Sequence, residues 1–309
     1  MKLVTFSRAG EPRLGAIVGA AIVDLNLACA ALLRSRGAAD PEAFAAATLP
    51  PDATAFLALG EAAVSTAGEA IEHVGNIDNG HSGLSRPLAS ATLLPPVPEP
   101  PKVICVARNY AEHARETGST PTEVPDLFAR FKSTLIGAGA AVLLPRVSDQ
   151  LDWEGELAVV IGEGGSHIAR ADALSHVAGY SIFNDLTVRD YQTRVSQFTT
   201  GKNFRASGPF GPYLLSADEA GDPQALEITT TVNGEVKQLG STADMVFDVA
   251  TLIKYVSEWI DLEPGDVIAT GTPHGVGFSR EPPEFLRSGD TVAVSITGLG
   301  TLSNPVLAE

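Results

Sequence analysis

The segment Leu151-Asp-Trp-Glu-Gly-Glu-Leu157, with the run Leu157-Ala-Val-Val-Ile161 behind it, constrains this chain more than any other feature. In an extended strand alternate side chains share a face, so Asp152, Glu154 and Glu156 would stand side by side. Like charges at that spacing repel unless water or a cation lies between them. One reading is a solvent-facing edge strand. The other is an internal cation site, because the acidic face feeds directly into an apolar run that has no polar face. All-oxygen ligands of this kind suit Mg²⁺, Mn²⁺ or Ca²⁺ better than Zn²⁺.

Two further segments carry chemistry. In Tyr180-Ser-Ile-Phe-Asn-Asp185 the aspartate ends an apolar strand, where it would be presented rigidly as a third ligand; Asn184-Asp185 would equally cap a helix or make a turn. In Arg108-Asn-Tyr-Ala-Glu-His-Ala-Arg-Glu-Thr-Gly118, Asn109 and Glu112 have the spacing of a capping box and Gly118 that of a stop, which predicts a helix starting at Asn109. His113 and Glu116 then lie at i and i+3 on one face, as an oriented general base or as an ordinary surface ion pair. Gly201-Lys-Asn-Phe204 lacks the glycine and the Ser/Thr of a phosphate loop, and Lys202 by itself reads as a surface lysine. The turn Thr270-Gly-Thr-Pro-His274 would bring backbone N–H groups to an anion or simply connect two strands, and His274 reads as a loop histidine.

Organisation follows from punctuation. Five prolines in the nine residues 93–101 favour an extended linker, so the boundary is placed near residue 97: a small α+β N-terminal domain, 1–97, and a catalytic domain, 98–309. The first holds short strands, a helix capped by Asp24 and Ala-rich helical sequence over 38–75. The second alternates strands with few helices. It includes an Asn233-Gly234 hairpin and an amphipathic helix over 248–260, which gives an α+β, mostly β, fold class. A net charge of −16 over 309 residues argues against a nucleic-acid or anionic-membrane partner. Cys29 and Cys105 are too few for a disulfide scaffold, and Cys105 reads as a buried packing residue. The opening residues lack the apolar core of an export signal, and a cytoplasmic location is expected.

Taken in order, residues 102–118, 152–162, 179–192, 201–204 with Gly211-Pro212, 232–235, 244–247, 262–268 with 270–273, and 298–301 resemble the fumarylacetoacetate hydrolase family. The resemblance spans residues 102–305, about two thirds of the chain. It implies a mixed β-sandwich roll, a homodimer, and a divalent metal (Mg²⁺ or Mn²⁺, with Ca²⁺ admitted) held by Glu154, Glu156 and Asp185. It implies a water-activating His113–Glu116 pair on a lid helix, an active-site lysine at Lys202, and substrate contacts at Arg108, Gln192 and Thr272. The expected partner is a small 2-oxo acid, and the expected reaction is hydrolysis of an acylpyruvate such as fumarylpyruvate or maleylpyruvate, in aromatic-compound catabolism. The alternative is a decarboxylase or isomerase of a related acid, such as an oxaloacetate decarboxylase or a 5-carboxymethyl-2-hydroxymuconate isomerase, since most of these reactions share an enolate-like intermediate.

Overall fold

The computed structural model describes residues 1–77, 83–120 and 122–309. The central strand Gly155–Ile161 is buried at every position. Its even residues, Ala158 and Val160, pack with Val103, Cys105, Phe183 and Phe210 against the N-terminal helices Leu25–Ser35 and Gly60–Ile77. Its odd residues, Leu157, Val159 and Ile161, pack against Ile228 and Val294 of a second sheet and Leu252 and Ile253 of the helix Val249–Ser257. A strand covered on both faces needs no polar face, which accounts for the uninterrupted apolar run.

That strand lies in an 11-stranded sheet. Across the sheet the order is Ser85–Pro87, Ala21–Asp24, Glu11–Val18, Lys2–Arg8, Gly208–Ser216, Val177–Asn184, Gly155–Ile161, Val267–Ala269, Val103–Ala107 and Asp126–Ala129. The short strand Leu135–Ile136 pairs with Gly208–Ser216 off this path. All neighbours along the path are antiparallel except Val267–Ala269 with Val103–Ala107. The second sheet has five strands, Glu235–Ser241, Glu227–Val232, Thr291–Ile296, Gly300–Ala308 and Val142–Leu144. The architecture is α+β, mostly β, as the sequence pattern predicts.

The sheet crosses position 97. Leu3 pairs with Leu214, and the proline-rich segment runs beside the first strand, with Thr5 Oγ1 donating to Pro96 O at 2.7 Å and Leu94 N to Thr5 O at 2.9 Å. Asp24 caps its helix through Leu27 N at 3.2 Å, and Asp248 caps Val249–Ser257 through Thr251 N at 2.8 Å. Asn233 and Gly234 take φ of +52° and +83°, the left-handed pair that a tight hairpin turn needs. Both cysteines are buried and unpaired. Among the described residues no helix is long and apolar enough to cross a membrane.

Gly179 shows how tightly the central strands meet. A Cβ there would lie 2.2 Å from Leu215 O, a backbone atom of the neighbouring strand. Gly179→Ala is expected to destabilise the fold by about 1–3 kcal/mol, read as a lower urea midpoint at unchanged slope. An unchanged midpoint would show that the strand pair shifts without cost.

Candidate active site

The acidic segment does not form one continuous strand. Leu151–Asp152 pairs with Thr187–Val188, the chain then steps through Trp153 and Glu154, and the long strand begins at Gly155. Asp152, Glu154 and Glu156 are all buried, which removes the edge-strand reading. The step also separates them. Glu154 and Glu156 converge with Asp185, and one carboxylate oxygen from each lies within 4.8 Å of the others. Asp152 instead binds the guanidinium of Arg189, with Nε 2.8 Å from Oδ2.

Backbone bonds hold the three carboxylates in place. Asp185 N donates to Glu154 O at 2.9 Å, and Glu154 N donates to Asn184 Oδ1 at 3.0 Å. Gly271 N donates to Glu156 Oε2 at 2.8 Å. Gly271 has φ of +97°, and a Cβ there would sit 2.8 Å from Asn109 Cβ, so only glycine brings this N–H to the carboxylate.

Three cations share the volume. Lys202, 2% exposed, lies against Glu154 Oε2 at 2.6 Å and against Asp185. Arg130 donates to Asp185 Oδ1 at 2.7 Å, and Arg189 Nη1 lies 2.7 Å from Glu154 Oε1. Burial opposes the charge on Glu154, but Lys202 and Arg189 outweigh it and hold the carboxyl down to about 2. Burial pushes the Glu156 carboxyl up, and the neighbouring charges of Asp185 and Glu154 push it further. Burial works against the charge on Lys202, but Asp185 and Glu154 hold its ammonium above the ordinary lysine value. With Asp152 counted, four buried carboxylates face three cations, and Glu156 has no ion pair with any of them. A convergent all-oxygen set in which one carboxylate has no ion pair among the described residues fits a hard divalent cation.

Beside this cluster lies a cavity of about 870 Å³, whose walls include His113, Glu154, Arg189, Gln192, Lys202 and Thr272. His113 Nδ1 meets Glu116 Oε1 at 2.8 Å, leaving Nε2 as the nitrogen free to face the cavity. Burial opposes the charge on Glu116, but His113, Gly275 N and Ser279 hold its carboxyl below the usual range. Thr272 Oγ1 donates to Gly155 O at 3.0 Å, and Gln192 Oε1 accepts from Arg189 at 3.1 Å. Arg108 lines the cavity paired with Asp126 and has φ of +57°, rare for a residue with a side chain. His274 is half exposed and pairs with Glu112, as a loop histidine would.

The helix that carries His113 is Ala111–Glu116, capped at Tyr110 without a side-chain bond. Asn109 does not cap it. Its amide donates to Thr270 O at 2.7 Å and Phe247 O at 3.0 Å and accepts from Phe247 N at 2.8 Å, so the side chain tethers the segment to two loops. Arg130, Arg189 and the second role of Asp152 had no local signal in the sequence, because the charge partners they find are 35 to 55 residues away.

Comparison with known proteins places this geometry. Residues 102–307 match the fumarylacetoacetate (FAA) hydrolase C-terminal family model, and the chain belongs to that family of enzymes. It is 43% identical over 262 residues to a mitochondrial oxaloacetate tautomerase of Homo sapiens, covering 84% of this chain and 81% of the relative. It is 41% identical over 272 residues to the oxaloacetate tautomerase YisK of Bacillus subtilis, covering 87% and 90%. Among solved structures, the maleylpyruvate hydrolase of Sphingobium sp. SYK-6, in complex with manganese(II) and pyruvate, aligns with a TM-score of 0.74 at 30% identity, covering 100% of this chain and 99% of that one. A fumarylacetoacetate hydrolase from Exiguobacterium antarcticum aligns at 0.76 with 33% identity over the whole of both chains.

The carboxylate arrangement has a direct consequence. Asp185→Asn and Glu156→Gln are each expected to weaken Mn²⁺ binding in a calorimetric titration by at least the roughly 10–100-fold seen when a ligand loses only its outer partner. Wild-type affinity in both variants would remove the triad as a metal site.

Proposed function

We propose that this enzyme is a metal-dependent oxaloacetate tautomerase, interconverting the enol and keto forms of a four-carbon 2-oxo diacid. The observation that carries the reading is His113, held by Glu116, on the wall of the cavity that Glu154 of the carboxylate triad also lines. The similarity to the tautomerases of Homo sapiens and Bacillus subtilis supports the choice of substrate. This is the isomerase branch of the sequence-based expectation rather than its hydrolytic one.

The two tautomers differ by one proton, carried on C3 in the keto form and on the C2 oxygen in the enol. Glu154, Glu156 and Asp185 would hold a divalent cation, which when bound supplies Lewis-acid polarisation of the 2-oxo group. In the keto-to-enol direction His113 Nε2 takes the proton from C3, leaving an enolate, and the imidazolium then gives that proton to the C2 oxygen; the enol-to-keto direction runs the same two transfers in reverse, while Glu116 holds the tautomer with the proton on Nδ1. Lys202 keeps its charge between Glu154 and Asp185 and offers it to the oxygen that gains electron density. Arg108, Gln192 and Thr272 bind and orient the diacid from the same cavity.

A second reading, acylpyruvate hydrolysis, is favoured by the structural likeness to maleylpyruvate hydrolase. There the same imidazole would take its proton from water instead of carbon.

The deciding experiment follows the ultraviolet absorbance of enol-oxaloacetate with Mn²⁺ present, beside cleavage of maleylpyruvate and fumarylpyruvate. Accelerated tautomerisation is expected, with His113→Ala lowering kcat by on the order of 10²–10⁴ and Glu116→Gln by less. Undiminished tautomerisation in His113→Ala would remove the imidazole as proton carrier. Acylpyruvate cleavage without tautomerisation would replace the first reading by the second.

A further inference from the structure

Glu116 has donors besides the imidazole. Gly275 N donates to its two oxygens at 2.9 and 3.1 Å, and Ser279 Oγ donates to Oε2 at 2.8 Å. Both donors belong to the segment 275–279, which follows the Thr270-Gly-Thr-Pro273 motif and matches none of the sequence motifs read above. The segment is anchored in turn. Gly277 N and Phe278 N donate to the two oxygens of Asp152 at 2.7 and 2.9 Å, and Asp152 also holds Arg189.

Two glycines permit this approach. A Cβ on Gly275 would lie 2.4 Å from Lys237 O, and one on Gly277 would lie 2.0 Å from Glu284 O and 2.8 Å from Asp152 Oδ1. The Ser279 hydroxyl has one proton and two acceptors in reach, Val276 O at 3.0 Å and Glu116 Oε2 at 2.8 Å, and the carboxylate is the closer and stronger of the two. Phe278, between the two anchors, lines the cavity with the Arg189 guanidinium 5.7 Å from its ring centre. One short segment therefore touches the cavity, the buried carboxylate Asp152 and the carboxylate that orients the imidazole.

We infer that Ser279 is a positioning residue for the His113–Glu116 pair, and that Asp152 fixes the segment presenting it. The inference rests on the reading of His113 as proton carrier. Oε1 of Glu116 is shared by His113 and Gly275, and Oε2 by Gly275 and Ser279. Removing the Ser279 hydroxyl leaves Oε2 with a single donor and frees the carboxylate to rotate off the imidazole. Its donors must be replaced from protein, because the group is largely withdrawn from water.

The test compares Ser279→Ala, Ser279→Thr and Asp152→Asn with wild type, by enol-oxaloacetate turnover, Mn²⁺ titration and amide hydrogen exchange. Ser279→Ala is expected to lower kcat about 10-fold, with KM and Mn²⁺ affinity unchanged, and Ser279→Thr to stay within about 2-fold of wild type by keeping the hydroxyl. Amide exchange across 114–117 is expected to quicken in Ser279→Ala, and across both 114–117 and 275–279 in Asp152→Asn. Wild-type kcat and exchange in Ser279→Ala would overturn the inference, as would equal losses in the alanine and threonine variants. If wild type does not turn over oxaloacetate, the substrate reading fails, and the exchange pattern alone decides the clamp: faster exchange in Ser279→Ala upholds it and unchanged exchange overturns it.

Discussion

Asp152, Glu154, Glu156 and Asp185 are buried where the central strands end, together with Lys202, Arg130 and Arg189. Taking an ionised group out of water costs several kcal/mol unless an opposite charge or a set of donors replaces the lost solvent. Much of the fold around the site follows from that requirement. Arg130 is held by Asp185, Leu186 O and Ser207, so one guanidinium joins three segments. Arg189 ties the Asp152–Glu154 step to Gln192 of its own short helix. The arginines have the planar fork that such multidentate pairing needs.

The layered core makes this charge density tolerable. Because Gly155–Ile161 is covered on one side by the N-terminal helices and on the other by the second sheet, its register is fixed and its end is rigid. Glu154, Glu156 and Asp185 emerge from two adjacent strands at that end, so a slip of one residue would turn Glu156 to the opposite face. The N-terminal strands extend the same sheet through the pairing of Leu3 with Leu214. The region before residue 97 is thus built into the same sheet as the strands that end at the site.

The His113 helix shows a different principle. Six residues make too short a helix to persist alone. It is held by what surrounds it: Asn109 tied to Phe247 and Thr270, buried Tyr110 and Ala114, and Glu116 received by Gly275 and Ser279. The sequence pattern made Asn109 a cap, a local role. A buried amide with three backbone partners at hand satisfies more bonds by facing them than by capping.

How much was legible beforehand divides along the same line. The apolar strand over 157–161, the Asp24 and Asp248 caps, the Asn233-Gly234 turn and the burial of Cys105 follow from patterns that act over a few residues, and these appear where the sequence places them. That Glu154, Glu156, Asp185, Lys202, His113 and Glu116 gather in one site was readable only through ordered motifs resembling a known family. Spacing alone left each with a plain alternative, including an edge strand for the acids and a surface position for Lys202. The tertiary structure decided the rest. It broke the acidic strand after Asp152, so that one carboxylate of the alternating three became an anchor for Arg189 and the 275–279 segment. It chose Arg130 and Arg189 as counter-ions, and it put Ser279 behind Glu116 across 163 residues. Pairings of that range are set by which charges are buried together, and only the packed sheet determines which ones are.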